Sequence, residues 1–289
     1  MLPDRLRLMR PSHWLKNFFV FIPLIYARAL FNPPQLLDSV IAFAAFCLAS
    51  SGIYVMNDVV DRQADGEHPE KRNRPIASGR ISIRSASVQS ALLFAAAALL
   101  MALLPWRASV LLGLYIVLNV GYSFGLKHVI LLDIFIIATG FMLRVLVGGY
   151  AIDVPISRWL VICTMFLALF LGVAKRRSEI NNVKRGASRK VLDDYTPELV
   201  RTIMIVSVTG SIMSYTLYTM SDHVVENFGT ENLIYTVPIV MFGLFRYLYL
   251  DETRQTAENP VAVVARDPSL LLTGLAWVLV SLMVIYTAA

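Results

Sequence analysis

The sequence predicts an all-α, polytopic membrane protein, and its composition, its apolar runs and its charge placement each support this fold class. Of 289 residues, 57% are hydrophobic and only 16% are charged, which is too apolar for an ordinary soluble domain. Runs long enough to cross a bilayer recur along the whole chain, and the stretches between them are short. We therefore expect residues 1–289 to form a single integral-membrane domain.

Nine apolar runs are candidate transmembrane helices. They cover residues 14–31, 36–56, 88–104, 108–124, 129–150, 156–174, 199–221, 232–250 and 269–287. The first run is long and lacks a clear small-residue cleavage site, so we expect a membrane span there rather than a cleavable signal peptide. The predicted architecture is a bundle of nine transmembrane helices.

Basic residues concentrate in the connections that nine spans would place on one side of the membrane. That side carries Arg5, Arg7, Arg10, Lys16, Arg62, Lys71, Arg72, Arg74, Arg80, Arg84, Lys127, Lys175, Arg176, Arg177, Lys184, Arg185, Arg189, Lys190, Arg246, Arg254 and Arg266. The opposite side keeps Arg28, Arg107 and Arg158. Because Lys and Arg are enriched in cytoplasmic loops, we expect a cytoplasmic N-terminus. The net charge of +6 arises from these loops, so we expect no nucleic-acid partner.

An acidic run at the end of the second apolar segment is the strongest indication of chemistry. It reads NDVVDRQAD over residues 57–65. On a helix, Asn57, Asp61 and Asp65 lie four residues apart on one face, and carboxylates crowded there repel one another without a cation. Mg²⁺ takes oxygen ligands and often shares them with substrate phosphates. We therefore predict Asn57, Asp61 and Asp65 as metal ligands and Asp58 and Asp61 as catalytic groups; the alternative is a solvated acidic helix end.

The loop after this run is basic and is interrupted by proline and glycine at positions 69, 75 and 79. Lys71 and Arg74 beside metal-bound carboxylates would bind a diphosphate, since the metal bridges oxygens and the bases neutralise the remaining charge. Contact with anionic lipid headgroups is an alternative for each base, but it does not account for the interleaved acids. Lys16, at the start of the first span, either extends to the interface or faces the site.

Further candidate residues follow the fourth and sixth spans. Tyr122 and Lys127 stand in the connection after span four, and Lys175 and Arg176 stand at the start of the loop after span six. We predict all four as substrate-binding residues, and Lys127 also as a catalytic residue. The cluster after span six is richer in bases than a second metal site would be.

Asp133 begins the fifth span, and Arg144 stands eleven residues later. Eleven residues are close to three helical turns, so the two side chains share a helix face about 16 Å apart along the axis. An arginine inside a membrane is costly unless it faces a polar cavity or a partner. We therefore predict that this face lines the site, with Asp133 catalytic and Arg144 substrate-binding.

The order of these motifs resembles the UbiA-type intramembrane prenyltransferase superfamily along essentially the whole chain. Within it, the chain is most similar to the decaprenyl-phosphate phosphoribosyltransferase branch. The likeness rests on residues 10–17 (RPSHWLKN), 57–65, 68–69 (HP), 71–79 (KRNRPIASG), 122–133, 140–144 (GFMLR) and 175–179 (KRRSE).

The resemblance implies a UbiA-like bundle that catalyses Mg²⁺-dependent transfer of 5-phosphoribose from phosphoribosyl diphosphate to a polyprenyl phosphate, with release of diphosphate. The product would feed synthesis of the arabinan precursor of a bacterial cell wall. Expected partners are phosphoribosyl diphosphate, the polyprenyl phosphate lipid and the bilayer of the bacterial inner (plasma) membrane, with a cytoplasmic active site. The sequence leaves open whether the chain forms a homo-oligomer.

Two other functions remain open at this stage. The nearer one is an aromatic prenyltransferase on the same fold, but such enzymes usually carry a second Asp-x-x-x-Asp motif after the sixth span. This chain has KRRSE at 175–179, and Asp193 and Asp194 follow at a different spacing. A transporter of a phosphorylated solute would also place bases in a bundle, but we find no convincing internal repeat and the polar clusters fall on one side.

Overall fold

The computed structural model describes residues 3–67, 71–183, 194–254 and 260–287. Residues 68–70, the bases between 184 and 190, and Asp193 lie outside these ranges. Within the described ranges the regular structure is helical and contains no strand, which confirms the all-α prediction. The α-helices are α1 Asp4–Met9, α2 Ile22–Tyr26, α3 Pro33–Val60, α4 Arg62–Glu67, α5 Ile83–Met101, α6 Trp106–Phe124, α7 Leu132–Ala151, α8 Arg158–Val183, α9 Pro197–Thr219, α10 Asp222–Phe228, α11 Val237–Arg254, α12 Pro260–Arg266 and α13 Pro268–Thr287. Short 3₁₀ helices cover Pro11–Phe21, Lys71–Asn73, Leu126–His128 and Asn232–Thr236.

Local sequence signals set where several helices begin. The hydroxyl of Ser82 accepts the N–H of Ser85 at 3.3 Å ahead of α5, and that of Thr196 accepts the N–H of Leu199 at 3.2 Å ahead of α9. Each contact satisfies a donor that the first helical turn leaves without an intrahelical partner. α3 opens with Pro33, whose fixed backbone suits a first turn that needs no N–H donor.

Eight helices in the described part of the chain are long and apolar enough to cross a membrane, judged by length and composition. They are Pro33–Val60, Ile83–Met101, Trp106–Phe124, Leu132–Ala151, Arg158–Ile180, Pro197–Thr219, Asn232–Thr253 and Pro268–Thr287. These helices correspond to eight of the nine predicted runs. α3 and α7 are the most enclosed of them, with 61% and 67% of their apolar windows buried, against 17% in α13.

The remaining predicted span, residues 14–31, has a different local structure. It forms the 3₁₀ helix Pro11–Phe21 followed by the short helix α2. Pro23 lies in the first turn of α2, and a proline there cannot donate the hydrogen bond that a continuous α-helix would require. The predicted count of nine transmembrane α-helices is therefore not confirmed.

This 3₁₀ and α2 segment nevertheless runs alongside α3. Before its start, Arg10 contacts Asp58 near the end of α3. Beyond its end, Ala29 packs with Ile152, whose carbonyl accepts a hydrogen bond from Gln35 in the first turns of α3. At about 2.0 Å per residue in the 3₁₀ part and 1.5 Å in the α part, the segment rises roughly 30 Å, which equals the hydrocarbon thickness of a bilayer.

The described helices group into two compact units. The first comprises Met1–Lys127 and Leu143–Pro155, and the second comprises His128–Met142 and Ile156–Ala289. α7 therefore contributes its first part to the second unit and its last part to the first. The expectation of one domain over residues 1–289 stays a prediction.

The core of the first unit is built by α3 against α5, α6 and the 3₁₀ helix Pro11–Phe21. Its buried cluster includes Phe46 on α3, Leu112 on α6 and Leu143 on α7. α7 also makes a very close approach, since a Cβ built on Gly148 would lie 2.1 Å from the backbone oxygen of Val20. Glycine is required here because any side chain would collide with main-chain atoms.

In the second unit α8 packs along α9, and α11 packs against α13. Arg246 on α11 forms an ion pair with Asp267 at 2.8 Å, and Asp267 also accepts the N–H of Leu270 in the first turn of α13. Trp277 on α13 donates to the hydroxyl of Tyr215 on α9 at 2.8 Å. Such polar contacts help helices to associate within lipid, together with close van der Waals packing, because burial of apolar surface provides no net driving force there.

Candidate functional site

The acidic run keeps helical spacing across the break between α3 and α4. The N–H of Asp61 donates to the carbonyl of Asn57 at 2.8 Å, and the N–H of Asp65 donates to the carbonyl of Asp61 at 2.8 Å. These i to i−4 hydrogen bonds place the three residues one turn apart along the chain. The spacing predicted from the sequence is therefore present.

Two arginines compensate the buried carboxylates of this run. Asp58 and Asp65 are each 4% exposed. Arg10 Nη2 lies 2.5 Å from Asp58 Oδ1. Arg74 Nη1 lies 3.1 Å from the same oxygen and 2.6 Å from Asp65 Oδ2. One guanidinium group thus contacts two carboxylates, which therefore lie close to each other.

Asp61 pairs with a different base. Lys127 is 5% exposed, and its Nζ donates to Asp61 Oδ1 at 2.6 Å. At the start of the run, Asn57 Oδ1 is buried and accepts no hydrogen bond from any residue that the structure describes. A buried acceptor without a donor costs free energy, so this oxygen is suited to receive a ligand.

The chemistry of these side chains fits a hard cation. Asn57, Asp61 and Asp65 offer only oxygen donors, as Mg²⁺ prefers. In the described part of the chain, however, no group of three or more His, Cys, Asp or Glu side chains is already arranged to hold a metal. The predicted metal ligands stay a prediction, as do the catalytic roles of Asp58, Asp61 and Lys127.

The other predicted substrate-binding residues of the first unit lie on separate elements. Lys71 is half-buried in the 3₁₀ helix Lys71–Asn73, three residues before Arg74. Lys16 is half-buried in the 3₁₀ helix Pro11–Phe21, and Tyr122 is half-buried near the end of α6. Their predicted contacts with substrate stay predictions.

Arg144 lies in a buried polar cluster within the core of the first unit. Its Nε donates to Asn17 Oδ1 at 2.8 Å and its Nη2 to the Tyr115 hydroxyl at 3.0 Å. The guanidinium carbon also lies 4.8 Å from the centroid of the Tyr115 ring and 5.2 Å from that of Phe46. These hydrogen bonds and aromatic faces stabilise a cation at membrane depth, and the predicted role of Arg144 in substrate binding stays a prediction.

In the second unit Asp133 is completely buried, and it contacts a base and a tyrosine. Arg176 Nε lies 2.5 Å from Asp133 Oδ2, and the hydroxyl of Tyr195 donates to Asp133 Oδ1 at 2.6 Å. The same hydroxyl accepts the N–H of Leu131 at 2.9 Å. Burial and the hydrogen bond to the carboxylate raise the pKa of Tyr195, so this phenol stays neutral. The predicted roles of Asp133 and Arg176 stay predictions.

Lys175 differs from its neighbour Arg176. Its side chain is 41% exposed and lies 3.7 Å from Glu179, whereas Arg176 is completely buried and also contacts Glu179. Exposed pairs of this kind contribute little to stability. A ligand contact by Lys175 would therefore break no buried contact, and its predicted role in substrate binding stays a prediction.

Sequence reasoning did not single out Arg10, Asn17 or Tyr195 as site residues. Arg10 ends α1 with a left-handed φ of 51°, which is uncommon outside glycine. It stands 48 positions from its partner Asp58, and spacing along the chain carries no information on such a contact. Arg10 and Asn17 lie at the two ends of the RPSHWLKN motif. This motif was the feature of the sequence that could have identified them as site residues.

Comparison with known proteins identifies the family. Residues 18–263 match the UbiA prenyltransferase family. A decaprenyl-phosphate phosphoribosyltransferase from Corynebacterium glutamicum is 36% identical over 289 residues, covering 97% of this chain and 86% of the relative. One from Mycolicibacterium smegmatis is 32% identical over 285 residues, covering 94% and 89%.

A solved structure supports the same fold. A UbiA homolog from Archaeoglobus fulgidus bound to GPP and Mg²⁺ has a TM-score of 0.73 at 16% identity, covering 99% of each chain. The helical membrane fold and the superfamily predicted from the motifs are both confirmed. This integral-membrane transferase belongs to the UbiA prenyltransferase family.

Proposed function

We propose that this chain is a polyprenyl-phosphate phosphoribosyltransferase, which moves 5-phosphoribose from phosphoribosyl diphosphate to a decaprenyl or similar polyprenyl phosphate. The observation that carries the proposal is that three carboxylates form ion pairs with three bases around the end of α3. The relatives that are similar along nearly the whole chain bear the name of this activity. Together these observations favour a donor that carries a diphosphate.

The bases of the acidic run would bind the donor. Arg10, Arg74 and Lys127 each contact a carboxylate at 2.5–2.6 Å. A diphosphate offers such bases several anionic oxygens, and arginine binds phosphate oxygens in bidentate geometry. We propose that these bases transfer from the carboxylates to the donor phosphates when substrate enters.

The carboxylates released in this way would hold the metal. Asn57, Asp61 and Asp65 supply oxygen ligands, and the buried Asn57 Oδ1 has no described hydrogen-bond donor to lose. Mg²⁺, when bound, would compensate charge on the leaving diphosphate. Binding of donor and metal would therefore be mutually dependent.

The transfer breaks the bond between the anomeric carbon of ribose and a diphosphate oxygen, and it forms a bond from that carbon to an oxygen of the lipid phosphate. The attacking oxygen is already anionic, so no strong general base is needed. The acidic run agrees with this, because Asp61 and Asp65, once released from their bases, would hold the metal rather than accept a proton. The chain would act through positioning and charge compensation at an oxocarbenium-like centre.

The lipid acceptor requires a site at the membrane interface. Its tail would lie along apolar helix surfaces, and its phosphate would lie at the level of the basic loops. The distribution of bases supports a cytoplasmic site, and the bacterial source of the similar transferases supports a bacterial inner membrane. Product formed there would enter synthesis of the cell-wall arabinan precursor.

The test uses purified protein in detergent with Mg²⁺, a polyprenyl phosphate and phosphoribosyl diphosphate labelled in the ribose. We expect label to move into the organic phase and this transfer to vanish with EDTA or in Asp61→Asn. The matched control is Asp4→Asn, which removes an exposed carboxylate paired with Arg80 and should transfer at the wild-type rate.

Two results would overturn the proposal. One is transfer that is unchanged in Asp61→Asn. The other is absence of phosphoribosyl transfer together with transfer of a prenyl group from a prenyl diphosphate to an aromatic acid, which would assign the aromatic prenyltransferase activity instead.

A further inference from the structure

A surface cavity of about 370 Å³ in the first unit lies where α1 meets the first turns of α5. Its lining includes Arg5 from α1 and, from α5, Arg84, Ser85, Gln89, Val88 and Leu92. None of these residues belongs to the acidic run or to the Arg144 cluster. The volume lies within the range of small-molecule binding sites.

The polar end of this cavity carries uncompensated positive charge. Arg5 and Arg84 are both exposed, and neither forms an ion pair with a carboxylate in the described ranges. Arg5 Nη2 contacts the Ser85 hydroxyl at 3.4 Å. The adjacent acid, Asp4, is already engaged by Arg80 at 2.9 Å. Two cations without an acid favour a phosphate group.

The other end of the cavity is apolar and is continuous with a membrane-spanning surface. Arg84, Val88 and Leu92 are four residues apart, so they form one stripe along α5. Val88 is 53% exposed and Leu92 is 65% exposed, on a helix long and apolar enough to cross a bilayer. A cation at the helix start followed by apolar side chains matches a lipid with its headgroup above its acyl chain.

Gln89 adds a requirement on the headgroup. Its Nε2 donates to the carbonyl of Arg5 at 3.0 Å, which joins α1 to α5. Its Oε1 is buried and accepts no hydrogen bond from the described residues. A ligand that brings a hydroxyl donor as well as a phosphate would satisfy this oxygen once the Gln89 amide turns it toward the cavity.

We propose that this cavity is a binding site for an anionic membrane phospholipid whose headgroup carries hydroxyls, of the phosphatidylglycerol type. Arg5 and Arg84 would bind the phosphate, Gln89 Oε1 would accept a glycerol hydroxyl, and Val88 and Leu92 would contact an acyl chain. A polyprenyl phosphate has no glycerol hydroxyl beyond its phosphate, so the same cavity should discriminate against the acceptor lipid. The site does not depend on the proposed transferase reaction.

The test is native mass spectrometry of the full chain released from nanodiscs that contain equal amounts of phosphatidylglycerol and phosphatidylcholine. We expect one phosphatidylglycerol to be retained preferentially. The double variant Arg5→Gln/Arg84→Gln should lose about tenfold of this preference, since each interfacial base contributes to anionic-lipid binding. Ser85→Phe, which fills the cavity and keeps both arginines, should lose it too.

The matched control is Arg7→Gln, which removes an exposed charge from the same helix without touching the cavity, and it should retain the lipid. Equal loss in Arg7→Gln would overturn the proposal, because it would indicate attraction to net charge alone. Retention in Ser85→Phe, or displacement of the lipid by an equimolar polyprenyl phosphate, would also overturn it. Size-exclusion profiles of all variants establish that each is folded.

Discussion

At the scale of single residues, Arg74 is the central contact of the acidic run. It lies 2.6 Å from Asp65 and 3.1 Å from Asp58, so one side chain compensates two buried acids. Removal of one partner from such a pair leaves a buried charge uncompensated. The same geometry makes Arg74 a competitor of any metal ion that binds these carboxylates.

We predict opposite effects of Arg74→Gln on the two ligands. Affinity for Mg²⁺ alone should rise, because a competing cation is removed, whereas affinity for phosphoribosyl diphosphate should fall and turnover should drop roughly 10²-fold. Calorimetric titration of each ligand and the transfer assay measure the three quantities. Arg72→Gln, an exposed neighbour, is the matched control, and equal changes in both variants would contradict the prediction.

Tyr195 is a second residue whose role can be measured. Tyr195→Phe removes a donor to the buried Asp133 carboxylate and an acceptor for Leu131 N–H, so the free energy of unfolding should fall by about 1–3 kcal/mol. The pKa of Tyr195 is raised in the folded state, so its neutral phenol stabilises the fold. This stabilisation is complete below about pH 10, which is the pKa of tyrosine in the unfolded chain, and it is lost as pH rises further.

The test is to measure the free energy of unfolding of the wild-type protein and of Tyr195→Phe at neutral pH and above about pH 10. The difference between the two proteins should be constant up to that pH and should shrink beyond it. Tyr235→Phe is the control, since Tyr235 is 71% exposed. A difference that grows with rising pH would contradict the assigned hydrogen bond.

At the scale of elements, the close approach between α7 and the 3₁₀ helix Pro11–Phe21 depends on Gly148. We predict that Gly148→Ala destabilises the protein by about 1–3 kcal/mol or more, because the added Cβ would meet the backbone oxygen of Val20 at 2.1 Å. Gly113→Ala on α6 is the matched control. A Cβ there meets no atom within 4 Å, so alanine should be neutral or stabilising.

Thermal unfolding in detergent of both glycine variants is the measurement. A Gly148→Ala protein that unfolds at or above the wild-type temperature would show that the 3₁₀ segment can move away from α7 at no cost. That result would contradict the packing described for the first unit.

At the scale of the whole molecule, we predict that the basic loops are cytoplasmic. In a cysteine-free background (Cys47→Ser, Cys163→Ala), Glu231→Cys should react with a membrane-impermeant maleimide added to intact cells. Ser78→Cys should react only after permeabilisation. Both positions are exposed, so access to the reagent is decided by the membrane. The reverse labelling pattern would place the candidate site on the outer face.

Much of the fold could be predicted from the sequence because apolar runs of bilayer length leave few alternatives to helices. The exception is the run 14–31, where composition predicts a span but Pro23 prevents a continuous α-helix. Hydropathy counts apolar residues and is insensitive to a missing N–H donor. That is why the number of transmembrane helices was not settled by composition.

The sequence by itself determined the helical membrane fold, the family motifs and the one-turn spacing of Asn57, Asp61 and Asp65, because these depend on local composition and period. The tertiary structure alone decided which base compensates which acid. The pairs of Arg10 with Asp58 and of Lys127 with Asp61 join positions 48 and 66 residues apart. Contacts at such separation depend on how helices pack, and no local pattern encodes them.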